Sequence, residues 1–426
     1  MATELTERFA PIFDRIRANA GAHERDRSLP YDEVRWLAEA GFGALRFDGV
    51  SLGEFFELLV QLAAADSNLP QIWRNHIAFV EDRRQPEPVE QNARWRKVIA
   101  DGAVVGGAWS ERAGDFGALT TVLGEDGLVT GVKYYSTGSI FADWITVLAK
   151  RGDEFVLAVV DAKADGVEVV DDWGGVGQRT TGSGTARFTG VAADDVFPFA
   201  DRAPYQEAVY QLVHLATLAG IGRAAHRDLV DAVRNRSRAY RHGVGDVARE
   251  DAQVLAVVGR VAGLAYAAEA AVLGAARALD GITDAASVHP ATIMVYEAQV
   301  AVTELVLQAT TLLYDALSSS ALDAGTQLDR HWRNARTITS HNPRIYKERL
   351  VGDWHVNAVP PSLGFDKPQD EPQAKPQAKP QDEPQAKPQA KPQAKPQDEP
   401  QDEPQDEPQD EPQDEPQEAA ARAATS

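Results

Sequence analysis

Apolar side chains in the first hundred residues recur every three or four positions, the spacing that collects them on one face of an α-helix. The pattern predicts three helices, over residues 5–16, 31–41 and 52–65. A fourth helix restarts at Pro70, and one of its faces is predicted to carry Trp73, His76, Ile77 and Val80. Residues 1–101 are therefore predicted to form an N-terminal helical domain.

From residue 102 the pattern changes to short runs rich in β-branched and aromatic residues, separated by Gly-Asp, Asp-Gly and Gly-Gly pairs. Seven strands are predicted, over residues 104–109, 120–123, 128–135, 144–149, 155–160, 167–170 and 185–188. Turn residues at this spacing are typical of antiparallel hairpins that close into a small barrel or sandwich. Residues 102–200 are predicted to be this central β domain.

Long helices return after residue 201. Three apolar-striped helices are predicted, over residues 207–225, 249–279 and 290–318. Residues 226–240 either extend the first of them or form a helix of their own. With a closing helix near residue 330, these segments predict a C-terminal four-helix bundle over residues 201–365 and an α+β fold class.

Beyond residue 365 the chain consists largely of repeated AKPQ and DEPQ tetrapeptides. A proline in every fourth position removes backbone donors and favours extended conformations, and the repeats contain no large apolar residue that could form a core. Residues 366–426 are therefore predicted to be a disordered tail that the folded part does not need for its function.

Composition excludes several classes of protein. The chain has 64 acidic and 43 basic residues, and its net charge of -21 argues against binding to nucleic acid. Its lack of cysteine excludes disulfides, thiolate catalysis and cysteine-ligated metal clusters, and no metal site is predicted. Neither a signal peptide nor a run of about 18–20 apolar residues stands out, so the protein is predicted to be cytoplasmic without a membrane span.

One segment, residues 328–343, concentrates three arginines, two histidines and a tryptophan in a helix that ends at a proline. Arg330, Arg333 and Arg336 share a helix face and could form a solvated stripe on an acidic protein. The hydroxyl side chains and His341 near the helix end favour a functional site instead, because histidine changes its protonation state closest to neutral pH. Both interpretations stay open on the pattern alone.

The run RNARTITSHNP at residues 333–343, followed by YKERLVGDW, resembles the C-terminal signature of flavin-dependent monooxygenases built on the acyl-CoA dehydrogenase fold. This group includes the dibenzothiophene monooxygenases. In acyl-CoA dehydrogenases the comparable segment carries the glutamate that removes the α-proton of the substrate. His341 and Asn342 stand where a tyrosine and that glutamate are expected, so the resemblance implies that this base is missing. The implied fold combines an N-terminal helical domain, a β-barrel domain and a four-helix bundle.

Two segments of the β domain resemble flavin-binding motifs of this fold. Residues 108–115, AWSERAGD, are similar to the motif LTEPxAGSD, which implies cofactor contacts from Trp109 and Ser110. Residues 133–139, KYYSTGS, correspond to the run KxWITN that lies against the flavin ring, which implies cofactor contacts from Tyr135, Ser136 and Thr137. An aromatic wall followed by hydroxyl groups suits a flat ring with a hydrogen-bonding edge. A strand that enters a glycine turn is the alternative for the second segment.

The resemblance also places residues around the substrate. The helix that starts at Pro70 borders the substrate pocket in this group, which implies that Trp73, His76 and Asn342 line the pocket. For His76 the alternative is a histidine satisfied within the core.

Arginines are the candidates for the cofactor phosphate, because the guanidinium group offers a planar, always charged fork to phosphate oxygens. The sequence RSRAYRHG at residues 236–243 supplies Arg238, and Arg336 is a second expected cofactor contact. In this group the first region contacts the cofactor, often across a subunit boundary. A solvated charge cluster is the alternative for Arg238.

The resemblance implies a reduced-flavin-dependent monooxygenase. Reduced FMN, or alternatively FAD, would react with molecular oxygen to a C4a-hydroperoxide, which transfers one oxygen atom to a sulfur or nitrogen centre of a small organic substrate. The expected catalytic residues are His341, His76, Ser136 and Thr137. A separate flavin reductase and assembly as a homotetramer or homodimer are implied as well.

Two other functions stay open from the sequence. A FAD-dependent acyl-CoA dehydrogenase would need another carboxylate near the flavin, for which Glu207 is a candidate. A non-catalytic scaffold of the same fold would leave the acidic tail as the functional part. The position of carboxylates and the response of the protein to flavins distinguish the three functions.

Overall fold

The computed structural model describes residues 2–112, 119–237 and 240–362. The N-terminal region consists of five helices, α1 (Ala2–Asp26), α2 (Tyr31–Glu39), α3 (Leu52–Ala65), α4 (Leu69–Arg83) and α5 (Val89–Ala100). The four predicted helices correspond to α1 to α4, and α5 completes the helical region.

Local sequence determines where α3 begins and where α4 restarts. The Ser51 hydroxyl accepts a hydrogen bond from the Glu54 backbone, and the Glu54 carboxylate accepts one from the Ser51 backbone, a capping box that starts α3. Extended backbone at Asp66 ends that helix. Pro70 stands in the first turn of α4, where no intrahelical donor is needed. This break sets the direction of α4.

The central region is an eight-stranded sheet formed by β1 (Val105–Ala108), β2 (Val122–Leu123), β3 (Leu128–Lys133), β4 (Trp144–Arg151), β5 (Glu154–Asp161), β6 (Val167–Val170), β7 (Thr185–Ala192) and β8 (Asp195–Pro198). Its order is β6-β7-β3-β2-β4-β5-β8, and β1 pairs with β4. Most pairs are antiparallel, but β1 and β2 each run parallel to β4. Within the described residues the ladder ends at β6 and β8, so the strands do not close into a hydrogen-bonded barrel.

The C-terminal region contains five helices, α6 (Gln206–Asn235), α7 (Ala252–Asp280), α8 (Ala285–Leu317), α9 (Asp329–His341) and α10 (Arg344–Asn357). The segment from residue 226 onward is an extension of α6 and not a separate helix. By length and composition α7 and α8 are apolar enough to cross a membrane, but both pack against α6 within the bundle. Helix α10, which the apolar pattern did not indicate, packs on α8.

One apolar core joins the N-terminal helices to the bundle. Phe9, Ile16 and Trp73 are completely buried in it, together with apolar residues of α6, α7 and α8. Gly220 on α6 lies so close to α3 that a β-carbon there would come within 2.3 Å of the Ala63 β-carbon. Only glycine fits this helix crossing without a shift of the backbone.

The described residues 2–362 belong to one compact unit. The predicted tail, residues 366–426, lies outside the described residues. The same holds for residues 113–115 at the end of the first flavin-like motif and for Arg238. The domain boundaries near residues 101, 200 and 365 stay predictions.

Candidate functional site

A cavity of about 700 Å³ lies between the sheet loops and helices α4 and α9. Its sheet side is lined mainly by aromatic and hydroxyl side chains, namely Ser110, Tyr135, Thr137, Trp173, Thr181 and Ser183. Its helix side is lined mainly by basic and polar side chains, namely Gln71, Arg74, Arg336, Thr337, Ser340, His341 and Asn342. No aspartate or glutamate of the described part of the chain lines it. Its volume is in the range of cofactor and substrate sites.

Helix α9 reaches the cavity because its two faces differ. Four side chains spaced by three or four positions face the core, namely His331, Asn334, Ala335 and Ile338. Arg336 and Ser340 lie on the other face, exposed along the cavity. The helix ends at His341, just before Pro343 starts α10. His341 and Asn342 are thereby brought to the cavity wall.

The three arginines of α9 have different roles. Arg330 donates a hydrogen bond to Asp228 at 2.6 Å. Arg333 donates one to Glu24 at 2.6 Å. The Arg336 guanidinium has no hydrogen-bond or ion-pair partner among the described residues, and the residue lines the cavity. Two arginines therefore anchor the helix, and the third is available to a ligand.

The sheet side combines an aromatic surface with a row of hydroxyl groups. Tyr135 has a left-handed backbone with φ 57°, and its ring lies edge-on to Trp173 with 5.9 Å between the ring centroids. The Thr137 and Ser183 hydroxyls are hydrogen-bonded at 2.7 Å, and the Ser183 and Thr181 hydroxyls are also 2.7 Å apart. Such a wall offers stacking surface together with donors and acceptors.

At the opposite wall two imidazoles meet a guanidinium group. The rings of His341 and His214 are 4.4 Å apart between centroids. His214, buried on α6, contacts the Arg74 guanidinium through Nε2, and Arg74 lies 4.5 Å over the ring of Tyr210. Burial and then the neighbouring Arg74 charge lower the pKa of His214. The same two causes lower the pKa of His341, whose surface is exposed but which is packed into the cavity wall. Both imidazoles are therefore neutral at pH 7.

Asn342 is held in place by two helices of the bundle. Its side-chain nitrogen donates a hydrogen bond to Gln211 on α6 at 2.7 Å. Its backbone carbonyl accepts one from Gln299 on α8 at 2.7 Å. An amide with a fixed orientation therefore occupies the position that the resemblance assigns to the glutamate of the dehydrogenases.

The structure does not bring Trp73 or His76 to the cavity. Both lie on the core face of α4, with 0% and 1% of their surface exposed. The His76 Nδ1 accepts a hydrogen bond from the Val105 backbone at 3.1 Å, and its Nε2 donates one to the Gly43 carbonyl at 3.1 Å. Burial lowers the pKa of His76 to about 4. His76 is therefore a histidine whose hydrogen bonds are satisfied within the core. Its position does not support the predicted contact with substrate.

The other predicted residues lie at or next to the cavity. Ser136 is completely buried between Tyr135 and Thr137, and its hydroxyl has no partner among the described residues. Trp109 does not line the cavity but stacks on Tyr210, with 5.5 Å between ring centroids. The cofactor and catalytic roles of these residues stay predictions.

Several cavity residues were not predicted from the sequence, among them Gln71 and Arg74. His214, which lies behind the wall next to His341, was not predicted either. Gln71 and Arg74 are three positions apart on α4, away from the apolar face that defined the helix. A search for polar pairs at helical spacing would have found them. His214 gave no comparable signal, because it stands between apolar residues of a long buried helix.

A buried ion pair joins the two flavin-like segments. The Lys133 Nζ, whose side chain is 0% exposed, lies 2.8 Å from Glu111 Oε1. The same carboxylate accepts hydrogen bonds from the backbone and hydroxyl groups of Thr120 and Thr121 at 2.7–3.0 Å. Burial alone would raise the pKa of Glu111, but the hydrogen bonds from Lys133 and the two threonines lower it to about 2. The segment before Glu111 is thereby fixed against β3.

Comparisons with known proteins agree with this architecture. Residues 212–343 match the family model described as acyl-CoA dehydrogenase, C-terminal domain. The chain is 25% identical over 340 residues to a dibenzothiophene monooxygenase of Mycolicibacterium goodii, which covers 72% of this chain and 81% of the relative. It is 24% identical over 387 residues to a probable FMNH2-dependent monooxygenase, SfnC, of Pseudomonas putida, covering 86% and 96%.

A solved structure extends the similarity to three dimensions. The FMN-bound TdsC from Paenibacillus sp. A11-2 superposes with a TM-score of 0.78 at 26% identity, covering 84% of this chain and 98% of that one. The chain therefore has the acyl-CoA dehydrogenase fold and is similar in sequence to flavin-dependent monooxygenases built on it.

Proposed function

We propose that this protein binds reduced FMN in the cavity and uses it with molecular oxygen to oxygenate a sulfur or nitrogen centre of a small organic substrate. One observation carries the proposal. The cavity combines an aromatic wall, hydroxyl groups, a neutral imidazole and an unpaired guanidinium, and no carboxylate of the described residues lines it. The named relatives and the FMN-bound structure support the choice of cofactor.

The cavity residues fit the parts of FMN. Tyr135 and Trp173 supply aromatic surface for the flat ring, and Ser110 and Thr137 supply hydrogen bonds to its polar edge. Arg336, which is exposed and whose guanidinium lacks a partner among the described residues, suits the phosphate.

Trp109 and Ser136 are proposed to support the wall from behind. Trp109 donates a hydrogen bond from its indole to the Thr146 hydroxyl at 3.1 Å, which fixes the ring. Arg238 is proposed as a further phosphate contact from its position in the sequence alone.

When bound, reduced FMN supplies two electrons, so that one atom of dioxygen joins the substrate and the other leaves as water. The protein has to keep bulk water out and to manage protons. His341 is neutral at pH 7 and lies in the cavity wall, where its ring can accept or donate one proton. The Thr137 and Ser183 hydroxyls can hold polar groups of the bound ligands.

The dehydrogenase alternative lacks its base. Asn342 carries an amide at the expected position, and its nitrogen is already bonded to Gln211. Glu207, the other candidate, accepts a hydrogen bond from the Tyr296 hydroxyl at 3.3 Å and lies 3.7 Å from the Lys347 Nζ. Glu207 does not line the cavity, so it is not in position to replace the missing carboxylate.

The oxygenation reaction is tested with FMN reduced by an independent reductase and with ¹⁸O₂. FMN is expected to raise the melting temperature, and thioethers or amines are expected to gain one labelled oxygen atom. No stabilisation by FMN or FAD would favour the non-catalytic scaffold. Anaerobic bleaching of bound FAD by an acyl-CoA would favour the dehydrogenase.

A separate flavin reductase and a cytoplasmic location accompany the proposal, because reduced flavin has to be supplied continuously. A homodimer or homotetramer is proposed from the exposed face of α7. Leu255 and Tyr266 on this face are 50% and 77% exposed, and Gly259 and Gly263 lie between them with open space around their α-carbons. Small and apolar residues along one helix face favour close packing against a second copy.

Replacing Gly263 by glutamate is expected to dissociate the oligomer, because it places a charge and a bulky side chain in that face. The exchange does not weaken the helix, since glutamate has the higher helix propensity. Sedimentation or light scattering measures the mass, and Gly352→Glu on the exposed surface of α10 is the matched control. An unchanged mass in the Gly263 variant would place the subunit contact elsewhere.

A further inference from the structure

Arg74 is a cation without an anionic partner in the cavity wall. Its Nη1 contacts the His214 ring, its guanidinium lies over the Tyr210 ring at 4.5 Å, and its Nε is buried without a hydrogen-bond partner. None of these neighbours carries a negative charge at pH 7. The charge of Arg74 is therefore not compensated by any described residue that it contacts.

Two other enclosed arginines have an anionic partner, whereas Arg83 is buried against the rings of Phe79 and Phe197 without an ion pair among the described residues. Arg46 is paired with Glu81 at 2.5 Å, and Arg333 is paired with Glu24 at 2.6 Å. A guanidinium that is shielded from water is stabilised by an anion with which it can form two parallel hydrogen bonds. Arg74 is shielded like Arg46 and Arg333 but borders a cavity where those two meet a carboxylate.

We propose that Arg74 binds an oxyanion of the substrate, so that the protein acts on small organic compounds that carry a sulfonate, sulfinate or carboxylate group. This inference rests on the proposed oxygenation and specifies the substrate class for the same cavity. The observations behind it are a guanidinium whose described contacts are all uncharged, the open cavity beside it and the absence of carboxylates among the described lining residues.

The phosphate of the flavin is the other oxyanion that could reach this cavity. Arg336 suits the phosphate better, because it is exposed and a phosphate keeps much of its hydration. Arg74 instead stands beside His214, whose ring is 4.4 Å from His341. An anion held by Arg74 thus lies next to the imidazole proposed to manage protons.

Binding of the anion also has a consequence for His341. The charge of Arg74 is one of the causes that lower the pKa of this histidine. An oxyanion on Arg74 offsets that charge, which raises the pKa of His341 toward its ordinary value. The substrate would thereby make His341 a better proton acceptor only when it is bound.

The test compares propane-1-sulfonate with methyl propyl sulfone, its uncharged counterpart, by calorimetry on the protein with oxidised FMN. The wild type is expected to bind the sulfonate at least about tenfold more tightly than the sulfone, as one charged hydrogen-bonded contact provides. Arg74→Met is expected to lose this preference and to change sulfone affinity less than about threefold. Equal affinities of the wild type for the two compounds would overturn the proposal.

Control variants separate the two sources of oxyanion. Arg336→Met is expected to weaken FMN but not the sulfonate, and Arg74→Lys, which keeps the charge, is expected to retain most of the sulfonate preference. Riboflavin lacks the phosphate of FMN, so the difference in affinity between the two measures the phosphate contact. If Arg74→Met abolishes this difference and keeps its sulfonate affinity, Arg74 holds the flavin phosphate and the proposal is wrong. Sulfonate binding is also measured without flavin, so that a failure of the oxygenation reaction is recognised separately.

Discussion

Replacing Glu111 by leucine is expected to lower the free energy of unfolding by about 3–5 kcal/mol, the usual cost of breaking a buried ion pair. The variant leaves the Lys133 ammonium fully buried without its carboxylate, which lies 2.8 Å away. It also removes the acceptor of the hydrogen bonds from Thr120 and Thr121. Urea unfolding at pH 7, followed by circular dichroism, measures the loss.

An exposed ion pair of the same sheet provides the control. Glu154 lies 3.4 Å from Arg151, and its side chain is 73% exposed. Glu154→Leu is expected to cost less than about 1 kcal/mol. The double variant Glu111→Leu with Lys133→Met is expected to be more stable than the sum of the single changes predicts, because it leaves no unpaired buried charge. A loss below about 1 kcal/mol in Glu111→Leu would contradict the buried-pair assignment.

The stability of the Glu111 pair depends on pH with a defined sign. The pKa of Glu111 is lowered from its ordinary 4.5 to about 2 in the folded protein. A carboxylate with a lowered pKa contributes stability that is fully present above the unfolded pKa and is lost as pH falls through the folded one. The difference between wild type and Glu111→Leu should therefore shrink between pH 4.5 and pH 2.

The positions of the helices could be predicted from the local sequence, whereas the pairing of the strands could not. The bounds of α3 agree with the predicted residues 52–65 because apolar spacing, a capping box and a polar break all act within a few residues. The parallel pairing of β1 with β4 brings Val105 opposite Trp144, across 39 positions of chain. Nothing in either strand specifies a partner at that distance, so hairpins between neighbours were the natural expectation.

The site segment was visible from the sequence, but the roles of its residues were not. Three arginines at helical spacing look alike until their partners are known, and Asp228 lies about a hundred positions before Arg330. His76 likewise shares its helix face with core residues, and the Gly43 carbonyl and Val105 backbone decide that it belongs to the core. Long-range contacts thus separated the free Arg336 from the anchoring arginines.

Arg74 and His214 were missed because their importance depends on contacts between distant parts of the chain. Arg74 follows Trp73 directly in the sequence. The prediction followed the apolar face of α4 that carries Trp73, whereas the cavity lies against the face that carries Arg74. His214 meets His341 only because α6 and α9 pack together. Residues that become important through the packing of distant helices have no signature in the local pattern. The resemblance pointed to α9, to the sheet loops and to α4, and the structure showed that Gln71 and Arg74, not Trp73 and His76, are the α4 residues at the cavity.

Replacing His341 by leucine is expected to reduce substrate oxygenation about 100-fold or more, because positioned acid–base groups contribute about 10²–10⁴-fold to the rate. FMN affinity is expected to change less than about threefold, since leucine keeps an apolar contact with His214 and removes no charge at pH 7. Product formed per reduced FMN consumed is measured under steady turnover. Consumption of reduced flavin by oxygen is expected to continue, so that the yield per flavin falls.

His355→Leu is the matched control, because His355 is exposed on α10 and interacts with Glu297 away from the cavity. Its product yield should equal that of the wild type. Loss of FMN binding in His341→Leu would make His341 a cofactor contact, and an unchanged yield would remove it from the reaction. With an uncharged thioether as substrate, which leaves the Arg74 charge in place, the wild-type yield should also show no fall near pH 6.5, since burial and that charge lower the pKa of His341 to about 3.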